Sequence, residues 1–173
     1  MSKRSVRPNL REALLIRASL ADINLSYVDG CMINLAGADL RRSSLREAVF
    51  YTANLAQARM EAADLLGADL REANLKAADL SRVQGKLATF SMADLQGANL
   101  REAVLTQSNF CEASLGQVDG CMADLLGCDL SFCDLRGSTL YTANLYRANL
   151  KRANLGSADL REVNASQASF QEV

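Results

Sequence analysis

Large apolar side chains recur along this chain at every fifth residue. From Leu10 to Phe170 that frame holds 33 positions, of which 24 are Leu, four are Phe (Phe50, Phe90, Phe110, Phe170), one is Met60, three are Gly and one is Ala165. Two residues earlier the position is small, with Ala at 21 of the 33. One residue earlier it is Asp or Asn at 22 of the 33, eleven of each. The unit is Ala-Asp/Asn-Leu-x-x, plain in Ala63-Asp64-Leu65 and Ala148-Asn149-Leu150. A period of five suits neither regular element. Steps of five advance about 500° around an α-helix and would scatter the Leu positions over its whole surface. On a straight strand an odd period sends successive Leu to opposite faces.

A turn of about 90° once per unit reconciles the pattern, because Ala and Leu, two apart, then share the inner side of a short extended stretch. Four units close a coil of about 20 residues, and stacked coils satisfy one another's backbone as parallel strands. Leu40, Phe50, Leu70, Phe90, Leu100, Phe110, Leu130 and Leu150 are expected in the core. Sorting units by fours puts all four Phe on one side of the coil. Phe90 and Phe110 should stack in neighbouring coils, and the Phe50 ring should fill the space left by Gly30. Asp and Asn should accept hydrogen bonds from turn backbone, a task the two share equally. At Val83-Gln84-Gly85-Lys86-Leu87 the central Leu is lost and a local irregularity is expected.

The Ala-Asp/Asn-Leu-x-x run over about 165 residues resembles the pentapeptide repeat family. The resemblance implies an all-β fold, a right-handed quadrilateral parallel β-helix of about eight 20-residue coils. Such a stack is a rod of roughly 40 Å at the strand spacing. Residues 1–7 form a short basic segment too short for a capping helix, and 8–173 one continuous solenoid. Within it residues 28–55 match residues 118–145 at 16 of 28 positions, an offset of 90 that marks a duplicated block or an in-frame fusion. Eighteen units are four and a half coils, so the copies lie on opposite sides of the rod.

Charge bears on what such a rod could do. Nineteen basic and 20 acidic residues leave a net of -1, and by side of the coil the nets are 0, -3, +1 and -2. The resemblance brings one activity with it, because some family members mimic a DNA rod and modulate type II topoisomerase, by gyrase protection or inhibition. A duplex of this length carries roughly 20 negative charges. Here the acids are interleaved with Arg, as in Arg101-Glu102 and Arg161-Glu162, so mimicry is the alternative reading. Direct nucleic-acid binding is not expected of so even a balance.

Catalytic chemistry finds no foothold in the sequence. There is no His, the five Cys form no CxxC pair, and free exchange of Asp with Asn at the repeat position argues against metal or acid-base roles. No catalytic, cofactor or metal residues are therefore assigned. The absence of a leader or a long apolar run gives the expectation of a cytoplasmic protein with no membrane association. The favoured function is a protein-interaction scaffold of unknown partner. Outward apolar residues are scattered, and the tentative interaction surface is Leu126, Phe132, Tyr141 and Tyr146, although these fall on three sides of the rod. Uncovered terminal coils carry unpaired backbone groups, which favours a homodimer through the ends.

Overall fold

The computed structural model describes residues 7–173, so the basic segment lies outside the described residues except for Arg7. Every β-bridge joins a residue to its equivalent four units on, always in parallel, in an unbroken series of 29 from Asn9↔Asp29 to Asn149↔Ser169. The extended stretches are shorter than strands, with one bridging residue per unit at the Asp/Asn position.

The unit beginning at Leu70 shows why five residues suffice. Leu70, Glu72 and Asn74 donate their backbone N–H groups to neighbouring coils, at 2.7 Å to Thr89 O, 3.0 Å to Ser91 O and 2.9 Å to Ala53 O. Ala73 closes the turn by donating to Leu70 O at 3.1 Å. The remaining N–H, of Arg71, donates to Asp69 Oδ1 at 3.2 Å. All five donors are thus placed, and the last requires an Asp or Asn one residue before the Leu. All 22 Asp and Asn residues at that position accept this bond from the amide two residues on. The carbonyl-like Oδ1 is what the turn uses, so Asn serves as well as Asp.

The second outward residue of every unit has φ between +50° and +68°, at 28 non-glycine residues and five glycines. Together with the closing bond this marks type II turns. Left-handed backbone is unfavourable for side-chain-bearing residues. It persists here because that residue's N–H is also bonded to the next coil, as Glu72 shows, so relaxing one turn would break the ladder.

The eight expected core residues lie within the stack, each at most 2% exposed. Phe90 and Phe110 stack with centroids 4.7 Å apart and planes 2° from parallel, which is the coil spacing itself. The Phe50 ring occupies the hole at Gly30, where an added Cβ would lie 2.8 Å from its Cε1. Gly85 is filled the same way by Leu105, 2.7 Å from the corresponding position. That filling corrects the irregularity expected around Val83–Leu87. Gln84 keeps both bridges and Leu87 keeps its turn, because the adjacent coil supplies the missing bulk. Toward the ends the core opens, with Leu10 and Leu160 partly buried and Phe170 41% exposed. Among the described residues no helix is long and apolar enough to cross a membrane.

Candidate interaction surface

Because every unit bridges its equivalent in the next coil, outward pairs stack into four ladders along the corners of the rod. This places the four tentative residues. Leu126 and Tyr146 are neighbours on one ladder, where Gly127 N–H donates to Tyr146 O at 2.8 Å. Phe132 stands on a second ladder, 47% exposed, and Tyr141 on a third, 37% exposed. The structure therefore does not bring the four into one patch.

Each ring is instead held within its own ladder. The guanidinium carbon of Arg152 lies 5.7 Å from the Phe132 centroid, that of Arg161 lies 5.7 Å from Tyr141, and that of Arg147 lies 5.1 Å from Tyr146. These are cation–π distances. A fourth ring belongs with them, since Arg71 lies 5.7 Å from Tyr51 and the Tyr51 hydroxyl donates to Glu72 Oε1 at 3.0 Å. Glu72 raises the Tyr51 pKa through that bond, and Glu162 does the same for Tyr141. Tyr51 is absent from the tentative set. Its signal in the sequence is the pentapeptide Tyr-Thr-Ala-Asn-Leu, present at 51–55 and again at 141–145.

The charged groups are largely spent on one another. Among the described residues, twelve of the 20 acids lie within 4.0 Å of a cation, either within one unit, as Arg41 with Asp39, or across coils, as Arg42 with Asp22. The bidentate Arg41 holds the Asp39 carboxyl down to about 2, and Arg161 does the same for Asp159, also to about 2. Such exposed pairs add little stability. Their consequence is electrostatic, because a surface of neutralised pairs projects a weak field.

The buried thiols are poor nucleophiles. Burial pushes Cys128 and Cys133 up to about 12, and their Sγ atoms donate to Leu105 O and Phe110 O at 2.9 and 2.8 Å. Both occupy the small position where Ala is usual, so they act as core filler.

A family profile for pentapeptide repeats matches eight copies, over residues 33–70, 50–83, 88–119, 103–141, 123–161 and 143–173. The break at 84–87 falls where Gly85 replaces the central Leu. Among solved structures, the chain is similar to HetL, a pentapeptide repeat protein involved in heterocyst differentiation regulation from the cyanobacterium Nostoc sp. strain PCC 7120. Identity is 30%, over 91% of this chain and 86% of HetL, with a TM-score of 0.58. A trypsin-treated form of QnrB1, a plasmid-mediated fluoroquinolone resistance protein, shares the fold at 19% identity, over 93% of this chain and 83% of that one, with a TM-score of 0.69. A search of the curated proteins finds no match. Matched repeats over most of the length, with one bonding pattern repeated in every unit, place this chain in the pentapeptide repeat family.

Proposed function

We propose that the protein is a non-enzymatic protein-interaction scaffold, a right-handed, four-sided solenoid over 8–173 that presents fixed side chains along its corners. The observation that carries this reading is the organisation of the outward residues. Most charges are paired among themselves, while Tyr51, Phe132 and Tyr141 are exposed and Tyr146 half-buried, each beside an Arg. Rigid aromatic and Arg groups on a fixed backbone are what protein interfaces use as anchors. The likeness to HetL supports a regulatory binding role over a catalytic one.

Type II topoisomerase modulation by DNA mimicry is supported by the shape of the rod alone, and its neutralised acids weigh against it. A DNA gyrase supercoiling assay separates the two readings. No effect is expected at micromolar protein, whereas protection or inhibition at that level would establish the alternative. Affinity capture tests the scaffold directly, and recovery of no specific protein above about 0.15 M salt would count against it. Pairing of terminal coils into a homodimer accompanies the proposal. A sedimentation profile that stays monomeric at high concentration would exclude it.

A further inference from the structure

The block repeated at an offset of 90 gains a meaning once the coil length is known. Outward pairs one coil apart stack, so one ladder reads Arg11-Glu12, Cys31-Met32, Tyr51-Thr52, Arg71-Glu72. Its rungs are joined by backbone bonds, Glu12 to Cys31, Met32 to Tyr51 and Thr52 to Arg71, each 3.0 Å. Ninety residues on, the diagonally opposite ladder reads Arg101-Glu102, Cys121-Met122, Tyr141-Thr142, Arg161-Glu162. All eight outward residues are identical. Over residues 11–82 and 101–172, fifteen units each, the other 22 outward positions agree only at Gly37/Gly127 and Arg46/Arg136. Common ancestry of the two halves would preserve all corners alike, so these two ladders have been kept while their surroundings diverged. The Arg-Glu dipeptide alone does not explain it, because Arg46-Glu47 has become Arg136-Gly137.

Geometry is duplicated along with identity. Arg71 and Arg161 each stand 5.7 Å from the Tyr ring one coil away, and each clamps its own Asp, Asp69 or Asp159, with two hydrogen bonds. Arg11 and Arg101 reach Asp29 and Asp119 at 3.3 and 3.1 Å, and those carboxylates also accept the amides of Cys31 and Cys121. Thr52 and Thr142 each donate to the carbonyl of the adjacent Tyr at 2.7 Å. At the centre of each ladder an open Met meets an open Tyr, with Met32 and Met122 47% and 49% exposed and both Tyr 37%.

We propose that these ladders are two equivalent docking sites, one on each side of the rod, for two copies of one protein partner. This rests on the scaffold reading and gives it a stoichiometry. The chemistry of the site selects the partner. The Met-Tyr centre calls for an apolar side chain, and the two glutamates at the ends of the ladder call for basic groups on either side of it. With Arg11 and Arg71 committed to Asp29 and Asp69, the first site carries a net of -2; at the second, Arg101 and Arg161 are committed likewise but Glu102 is also paired with Arg82 at 3.1 Å, which leaves -1, and this negative balance disfavours phosphate backbones and anionic lipid. The outer rungs of one ladder are three coil steps, about 14 Å, apart. The two sites are displaced by four and a half coils, about 22 Å along the axis, and face opposite ways. One compact partner therefore occupies one site, and the rod holds two.

A phage-displayed library of short random peptides selected on the intact protein supplies the probe. Selected peptides should carry an apolar residue flanked by Lys or Arg and bind two per chain by titration calorimetry. Tyr51→Ala should leave one site, and Tyr51→Ala/Tyr141→Ala should weaken binding at least 30-fold with the circular dichroism spectrum unchanged. Glu72→Lys/Glu162→Lys, which leaves the rings in place, should weaken it at least tenfold, while Tyr146→Ala should retain two sites. One peptide per chain, or binding that survives the double Tyr substitution, overturns the two-site assignment and leaves the scaffold reading standing. Failure to select any binder counts against both.

Discussion

Gly30 and Phe50 test whether the core is filled coil by coil, as the packing requires. A Cβ at Gly30 would lie 2.8 Å from Cε1 and 2.9 Å from Cδ1 of Phe50, and Phe50 is fully buried, so its ring has nowhere to retreat. Gly30→Leu should cost about 3 kcal/mol, the upper part of the overpacking range. Phe50→Leu should cost only about 1–2 kcal/mol, well below a Phe→Ala truncation. Leu is already seen filling such a hole, because Leu105 and Leu140 approach the missing Cβ positions of Gly85 and Gly120 to 2.7 Å. Gly30→Leu/Phe50→Leu restores Leu over Leu, the arrangement of most of the stack, and should lie within about 1 kcal/mol of the parent. The cycle then gives a coupling of about 3–5 kcal/mol, at or above the top of the range for touching residues. The chain has no Trp, so urea unfolding followed by far-ultraviolet circular dichroism is the assay. The slope is monitored because a solenoid can unfold piecewise. Additive single effects, within about 0.5 kcal/mol, would refute the filling of one coil by the next.

Other expectations follow from single bonds. Asn109 Oδ1 accepts the Cys111 amide at 2.8 Å, so Asn109→Asp should change stability by less than about 0.5 kcal/mol and Asn109→Ala should cost about 1 kcal/mol in urea. The Ser138 hydroxyl is buried without a partner where Ser108 Oγ donates to Gly85 O, so Ser138→Ala should raise stability by about 1 kcal/mol and Ser108→Ala should lower it by a similar amount. Asp39 and Asp159 are held at about 2 against an ordinary 3.8, so their contribution is complete above about pH 4 and is lost as pH falls through about 2. Because these pairs are exposed, melting temperatures taken down a pH series should show only a small loss there, and Arg41→Gln/Arg161→Gln should diminish it further. At Gly97, where φ is +68° and no atom lies within 4 Å of an added Cβ, Gly97→Ala should destabilise by about 1 kcal/mol, a backbone effect measurable in the same titration.

Much of the fold was legible because one spacing dictated it. The frame of five excluded helix and straight strand, closure at four units stacked Phe90 on Phe110, and equal use of Asp and Asn pointed to the turn amide. The left-handed residue in each turn was not legible, since its position holds Met32, Thr52, Phe132 and a wide range of other types. Its conformation is imposed by bonds to neighbouring coils and so leaves little trace in residue choice. Gly85 misled for a related reason, as the compensating bulk, Leu105, sits a full coil further along the chain. Of the candidate surface, Tyr141 was legible as an exposed ring. The grouping with Leu126, Phe132 and Tyr146 rested on nearness in sequence, whereas nearness on this rod runs from one coil to the next.

That coil-to-coil neighbourhood explains why the even charge balance carries functional weight. An outward side chain on this fold has its nearest external neighbours within its own unit or one coil away, so a base placed two residues or about one coil from an acid can pair with it, as Arg41 does with Asp39, Arg46 with Asp64 and Arg42 with Asp22. A DNA-like surface requires acids in successive coils of one ladder with no base between them. In this chain the ladders alternate sign or interpose uncharged rungs, as between Glu12 and Glu72, where Met32 and Thr52 intervene. The sequence thus meets the inner requirements of the coil at nearly every unit while repeating on the outside one run of four outward pairs on two opposite corners. Constraint on the outside that is local, paired and partly apolar is what recognition by a folded protein surface demands, and a uniform polyanion surface would demand the reverse.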